Sequence, residues 1–179
     1  MQTNLSEAAK KLPRAEEAES ILRSCVHCGF CNATCPTYQL LGDELDGPRG
    51  RIYLMKQMLE GGEITESTQT HLDRCLTCRN CETTCPSGVQ YHNLLDIGRG
   101  FMEQQVPRST GERLLRAGLR TVIPRAGLFK TLLSTGNVLR PLMPATLKSH
   151  LPRQVTPAKP RPQLLHARRV LILEGCVQP

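Results

Sequence analysis

The sequence predicts a mainly α-helical protein built around a doubled cysteine run. Three observations predict it. The run Cys25-Val26-His27-Cys28-Gly29-Phe30-Cys31-Asn32-Ala33-Thr34-Cys35-Pro36 returns 50 residues later as Cys75-Leu76-Thr77-Cys78-Arg79-Asn80-Cys81-Glu82-Thr83-Thr84-Cys85-Pro86. The 39 residues between the runs, Pro36 to Arg74, space their apolar side chains as helices do. Aromatics are 3% of the chain and Trp is absent, so no large aromatic core is available. A small fold of this kind substitutes cofactor bonds for hydrophobic area.

The elements follow in order. Residues 14–24 form a short helix with Ala15, Ala18, Ile21 and Leu22 at helical spacing and acidic residues early, and it delivers the chain into Cys25. Tyr38 to Leu41 is a short apolar stretch and Asp43 to Pro48 a turn. Pro48 suits the first turn of a helix carrying Ile52, Leu54, Met55, Met58 and Leu59, which Gly61-Gly62 ends. Glu66 to Arg74 is a second helix leading into Cys75. A third is expected from about Asn93 to Gln105, stopped by Pro107. Gly111 to Ile123 and Gly127 to Leu139 read as two basic amphipathic helices. Prolines at 141, 144, 152, 157, 160 and 162 mark an extended linker. Arg168 to Cys176 reads as a buried strand. A lone strand has no partner, so the chain is expected to stop as an α/β cysteine-rich domain begins. The resulting division is 1–105, 106–140, 141–167 and 168–179.

The run is C-x2-C-x2-C-x3-C-P, the spacing by which bacterial-type ferredoxins hold 4Fe–4S clusters. Eight of the nine cysteines lie in its two copies. Three cysteines at a spacing of three wrap three corners of a cubane, and the fourth ligand must come from elsewhere. In two-cluster ferredoxins the fourth cysteine of each run serves the other cluster. Cys25, Cys28, Cys31 and Cys85 are therefore expected to hold one cluster, and Cys75, Cys78, Cys81 and Cys35 the other. Pro36 and Pro86 bias the preceding cysteine away from helix, which helps it point away from its own run. Two helices between the runs suit an α-helical ferredoxin-like dicluster domain. Zinc is the competing reading, since C-x2-C pairs bind Zn2+ and two sites would use eight cysteines. It would make the chain a zinc-stabilised interaction module. Matched triplets with a Cys-Pro favour iron and sulfide. With no secretory signal in the first twenty residues, disulfides rank last.

Formal charge is +7 with cysteines neutral. Eight thiolates and two oxidised cores leave the loaded form at about +3, so the basicity overstates the case for nucleic acid, and none is expected as a partner. No apolar run approaches a membrane span. His27, His71 and His92 lie near the runs, but eight cysteines already fill two sites, and surface or supporting roles are expected. Arg49, Arg51, Arg74 and Arg79 either offset cluster charge or are ordinary solvated side chains. The basic helix pair, with Arg113, Arg116, Arg120, Arg125, Lys130 and Arg140, packs on the chain itself, lies on an anionic membrane or docks on a partner. A metal role for Cys176 needs ligands that this chain lacks. No residue is expected to be catalytic, and no Gly-rich dinucleotide fingerprint is present.

The residues around the runs resemble a family. Cys25 to Cys31, Pro36-Thr37-Tyr38, Gly47-Pro48-Arg49-Gly50-Arg51-Ile52-Tyr53, His71 to Val89, His92 to Arg99 and Arg169 to Cys176 are similar to the iron–sulfur subunit of bacterial glycolate oxidase (glycolate dehydrogenase). The cysteine runs alone fit a wider group, including iron–sulfur proteins of lactate utilisation and of anaerobic glycerol-3-phosphate dehydrogenase. The resemblance implies a complex in which flavin-bearing subunits oxidise glycolate to glyoxylate. This chain would relay the electrons through two 4Fe–4S clusters toward a membrane quinone. The implied location is the cytoplasm or the inner face of the cell membrane. Family members continue beyond Gly175-Cys176 into cysteine-rich domains, and this sequence departs from them there.

Overall fold

The computed structural model describes residues 1–144 and Lys148. The chain divides into two compact units, Met1–Arg108 and the part from Ser109 onward. Among the described residues the regular structure is all helical. The strand expected over 168–176, Cys176 and most of the Pro-rich linker lie outside the described residues.

The first unit holds seven α-helices: α1 (Glu7–Lys10), α2 (Ala15–Ser24), α3 (Pro36–Leu41), α4 (Pro48–Leu59), α5 (Glu66–Asp73), α6 (Asn80–Thr83) and α7 (Tyr91–Gln105). Short 3-10 turns cover Phe30–Thr34 and Glu44–Asp46. Pro48 opens α4, where a missing N–H costs nothing. Thr65 caps α5, its hydroxyl accepting from the Thr68 amide. The periodicity places α2, α4 and α5 within a residue of their bounds. It starts α7 two residues late, because Tyr91 and His92 carry no helix-start signal. The apolar stretch at Tyr38–Leu41 belongs to α3, with Pro36 in its first turn and left-handed Gly42 closing it. Helices α1 and α6 are single turns too short for periodicity to register.

The core lies where α7 packs on α2, α4 and α5. Leu22, Met55, Leu59, Leu72, Leu94, Leu95 and Met102 are fully buried there. Each contributes about 1.5–3 kcal/mol relative to an exposed position. Helices α4 and α7 approach closely at Gly98, where a Cβ would stand 2.6 Å from Met55 Sδ. Arg108, itself buried, closes the unit with ion pairs to the partly exposed Asp73 (2.6 Å) and Glu103.

The second unit contains α8 (Thr110–Val122), α9 (Ala126–Val138) and a 3-10 turn at Arg140–Leu142. Ser109 caps α8 by accepting from the Glu112 amide. Neither helix buries a residue, and Leu114 is 76% exposed. No helix among the described residues is long and apolar enough to cross a membrane.

Candidate iron–sulfur centre

Each cysteine run turns left-handed at two positions. Helix α2 ends into extended Cys25. His27 (φ 60°) and Gly29 (φ 85°) then turn left-handed between the cysteines. The second run repeats this at the same offsets with Thr77 (φ 55°) and Arg79 (φ 63°). A β-branched threonine in this region is a strained outlier, and such strain collects at functional sites. Left-handed residues set between the cysteines curl the backbone into a concavity of the sort that holds anionic groups, iron–sulfur clusters among them.

Two small cavities result. Cys25, Cys28, Cys31 and Cys85 line one, together with His27, Arg49 and Val89. Cys35, Cys75, Cys78 and Cys81 line the other, together with Thr37, Arg51 and Tyr91. The structure thus gathers the eight cysteines four by four, three from one run and one from the other. All eight are free thiols. Four convergent sulfurs per cavity fit a tetrathiolate-bound cluster, and sulfur count alone also fits zinc. Burial pushes the Cys25 thiol above its ordinary value. Burial, then the nearby cysteine thiolates, take Cys31 up to about 11 and Cys81 up to about 12. These thiols keep their protons at neutral pH until a metal displaces them.

The runs touch through the threonines that precede the fourth cysteines. Thr84 Oγ1 donates to Thr34 Oγ1 at 3.3 Å, and Thr34 Oγ1 reaches the Asn80 carbonyl at 3.3 Å. Behind each run a cation gathers three carbonyls. The Met1 ammonium donates to Leu22, Arg23 and Cys25 at 3.3, 3.1 and 2.8 Å. Arg99 Nη2, from α7, donates to Leu72, Asp73 and Cys75 at 2.7, 3.3 and 2.9 Å.

The second cavity backs onto a buried polar network centred on Asp46. Its carboxylate accepts from Arg74 (2.8 Å), His71 Nδ1 (3.0 Å) and Arg51 (3.4 Å). Arg51 also donates to the His71 carbonyl at 2.7 Å and to Thr37 Oγ1 at 3.1 Å. Thr37 Oγ1 lies 3.1 Å from Cys35 Sγ and 2.8 Å from the Asp46 carbonyl. The Tyr91 hydroxyl donates to Cys75 Sγ at 3.7 Å. The first cavity is plainer. His27 Nδ1 stands 3.9 Å from Cys25 Sγ. Arg49 pairs with Glu44 at 2.5 Å, and Asn32 Nδ2 donates to both oxygens of that carboxylate at 3.0 Å.

Of the arginines and histidines near the runs, Arg51 is wholly buried, whereas Arg49, Arg74 and Arg79 keep solvent contact. His71 supports Asp46, and His92 pairs with Glu82 at 2.6 Å. Sequence reasoning passed over Thr37, Asp46, Tyr91 and Arg99. Only Thr37, which directly follows a Cys-Pro, carried a positional signal.

Residues 21–89 match the family described as a 4Fe-4S dicluster domain. Over all 179 of its residues the chain is 67% identical to the glycolate oxidase iron–sulfur subunit of Escherichia coli (strain K12), covering 44% of that protein. It is 33% identical over 196 positions to the probable glycolate oxidase iron–sulfur subunit of Bacillus subtilis (strain 168), covering 92% of this chain and 43% of that protein. The chain therefore spans less than half the length of these relatives.

Proposed function

We propose that residues 21–89, which match the 4Fe-4S dicluster domain family, hold two clusters, and that the chain is the electron-relaying iron–sulfur part of a glycolate oxidase. The observation that carries this reading is the gathering of four thiols in each of two cavities. In this reading Cys25, Cys28, Cys31 and Cys85 hold one cluster, and Cys35, Cys75, Cys78 and Cys81 the other. When bound, each cluster supplies one-electron storage. The chain's own residues fix four sulfurs around each cluster and shield the buried ones from water. They present Cys28 and Cys78, both exposed, toward the surface. No residue is assigned to act on substrate. Glycolate oxidation belongs to a flavin-bearing partner, and the onward acceptor is a membrane quinone.

The supporting relatives are named for glycolate oxidase, which ranks glycolate above lactate or glycerol-3-phosphate. The test is anaerobic reconstitution followed by mixing with the flavin-bearing partner and each substrate in turn. Glycolate is expected to bleach the visible absorbance of the clusters. Bleaching by lactate or glycerol-3-phosphate and not by glycolate overturns the substrate assignment. A protein that takes up zinc and no iron overturns the relay.

A further inference from the structure

We infer that Thr37, Tyr91 and Arg51 give the cluster at Cys35, Cys75, Cys78 and Cys81 the higher reduction potential of the two. This rests on the two-cluster reading above and adds an order to it. Reduction puts an extra negative charge on a cluster and its sulfurs. Hydrogen-bond donors and cations at the sulfurs stabilise that form and raise the potential.

The two cavities differ in this respect. In the second, two of four ligand sulfurs have a hydroxyl within reach, Thr37 at 3.1 Å and Tyr91 at 3.7 Å. Tyr91 is 5% exposed, so its dipole acts with little solvent screening. The Thr37 hydroxyl accepts from Arg51, and its own proton has two acceptors, the Asp46 carbonyl and Cys35 Sγ. A thiol at Cys35 competes weakly for that proton. A ligating thiolate only accepts, and it gains negative charge on reduction, so it draws the proton more strongly. Arg51 lines this cavity with a side chain 1% exposed. Arg51 and Arg74 share the one Asp46 carboxylate, which leaves the network one positive charge in excess. Arg79 also lines it, but is 58% exposed and paired with Glu82.

In the first cavity, among the described residues, two side chains contact a ligand sulfur, His27 Nδ1 at 3.9 Å from Cys25 Sγ and Asn32 Oδ1 at 3.9 Å from Cys31 Sγ, and the latter is an acceptor with no hydrogen to give. Its arginine, Arg49, is 37% exposed and answered by Glu44. The Met1 ammonium is bonded to the Cys25 carbonyl, not to the sulfur. Both cavities therefore have nearby cations, and the donors aimed at sulfur decide between them. Thr37, Tyr91 and Arg51 are positioning residues here, acting on the cluster through its ligands.

The test is a potentiometric titration of the full cluster-loaded chain, followed by electron paramagnetic resonance. Iron and sulfide analysis comes first. Roughly eight of each per chain supports two clusters, and roughly four overturns that reading separately from this one. Two reduction waves are expected. Tyr91→Phe and Thr37→Val should each move the higher wave down by about tenfold in its reduction equilibrium, ~59 mV for one electron. The lower wave should stay in place. Thr37→Ser keeps the hydroxyl and should restore the wild-type value. Tyr91→Phe removes one oxygen and retains the buried ring, so it carries the test where Thr37→Val fails to load. Coincident wild-type waves, movement of the lower wave, or no movement in a loaded Tyr91→Phe protein would overturn the inference.

Discussion

Arg99 stands behind the second cysteine run as the amino group of Met1 stands behind the first. Each donates to three carbonyls, and the carbonyls are matched pairs: Leu22 with Leu72, Arg23 with Asp73, Cys25 with Cys75. They lie at or just past the end of a helix, where a cation also suits the helix dipole, and the Leu22 and Leu72 carbonyls accept from the Cys25 and Cys75 amides as well.

Removing the guanidinium should therefore loosen the entry into the second run. Arg99→Met is expected to cost about 1.5–3 kcal/mol, the range for hydrogen bonds to a charged group. The denaturant midpoint of the loaded chain measures it. Arg99→Lys should recover part of the loss. A midpoint unchanged in Arg99→Met would show that water replaces the guanidinium without penalty.

Asp46 is fully buried with two arginines and a histidine on its oxygens. Burial works to raise its pKa, but the bonds from His71 and Arg74 outweigh burial, and the carboxyl sits below its ordinary value of 3.8. A depressed folded-state pKa gives stability that is complete above the unfolded value. That stability is lost as pH falls through the folded one. Asp46→Asn should cost about 3–5 kcal/mol at neutral pH, since it strands buried positive charge. The gap from wild type should close below about pH 4. A gap of the same size in acid and at neutrality would mean that the charge of Asp46 does not carry it.

Two glycines on helices provide a graded comparison. A Cβ at Gly98 would meet Met55 Sδ at 2.6 Å, the far end of a flexible side chain. A Cβ at Gly50 would meet the Glu44 carbonyl oxygen at 2.1 Å, which is backbone. Alanine gains about 0.8–1 kcal/mol of helix propensity at either position. Gly98→Ala should therefore lose little, about 1 kcal/mol net, while Gly50→Ala should lose several times more because the turn before α4 must move. Thermal midpoints of the two proteins check the order, and equal losses would contradict it.

The grouping of the cysteines has its own test. Cys85→Ala is expected to damage the cluster assigned to Cys25, Cys28 and Cys31 and to leave the other signal in place. Electron paramagnetic resonance of the reduced protein distinguishes them. Loss confined to the cluster of Cys75, Cys78 and Cys81 would return Cys85 to its own run.

Much of this arrangement was legible in the sequence. Spacing alone identified the doubled run, and periodicity located α2, α4 and α5, because apolar stripes facing one core leave a 3.6-residue signature. The rest was hidden for physical reasons. Helix α6 and the 3-10 turn at Phe30–Thr34 are wrapped around sulfur sites, not laid on a core, so they have no stripe. Asp46 sits in a turn whose composition reads as solvent-exposed, and only the folded chain brings Arg51, His71 and Arg74 to it. Arg99 lies on a helix already explained by its apolar face. Its partners are carbonyls, which every residue has and no sequence singles out.

Thr34 and Thr84 occupy the same place in the two runs, and their hydroxyls meet. A residue that touches its own counterpart is the kind of contact found at the centre of a symmetric dimer. The two runs meet there, and each cavity is lined by a cysteine from the opposite run. One chain thereby encloses the geometry of a self-pairing half. In a true homodimer a favourable substitution at the axis acts twice. Here the halves are separate in sequence, so each side of the junction is free to change alone, and Arg51, Thr37 and Tyr91 line only one of the two cavities.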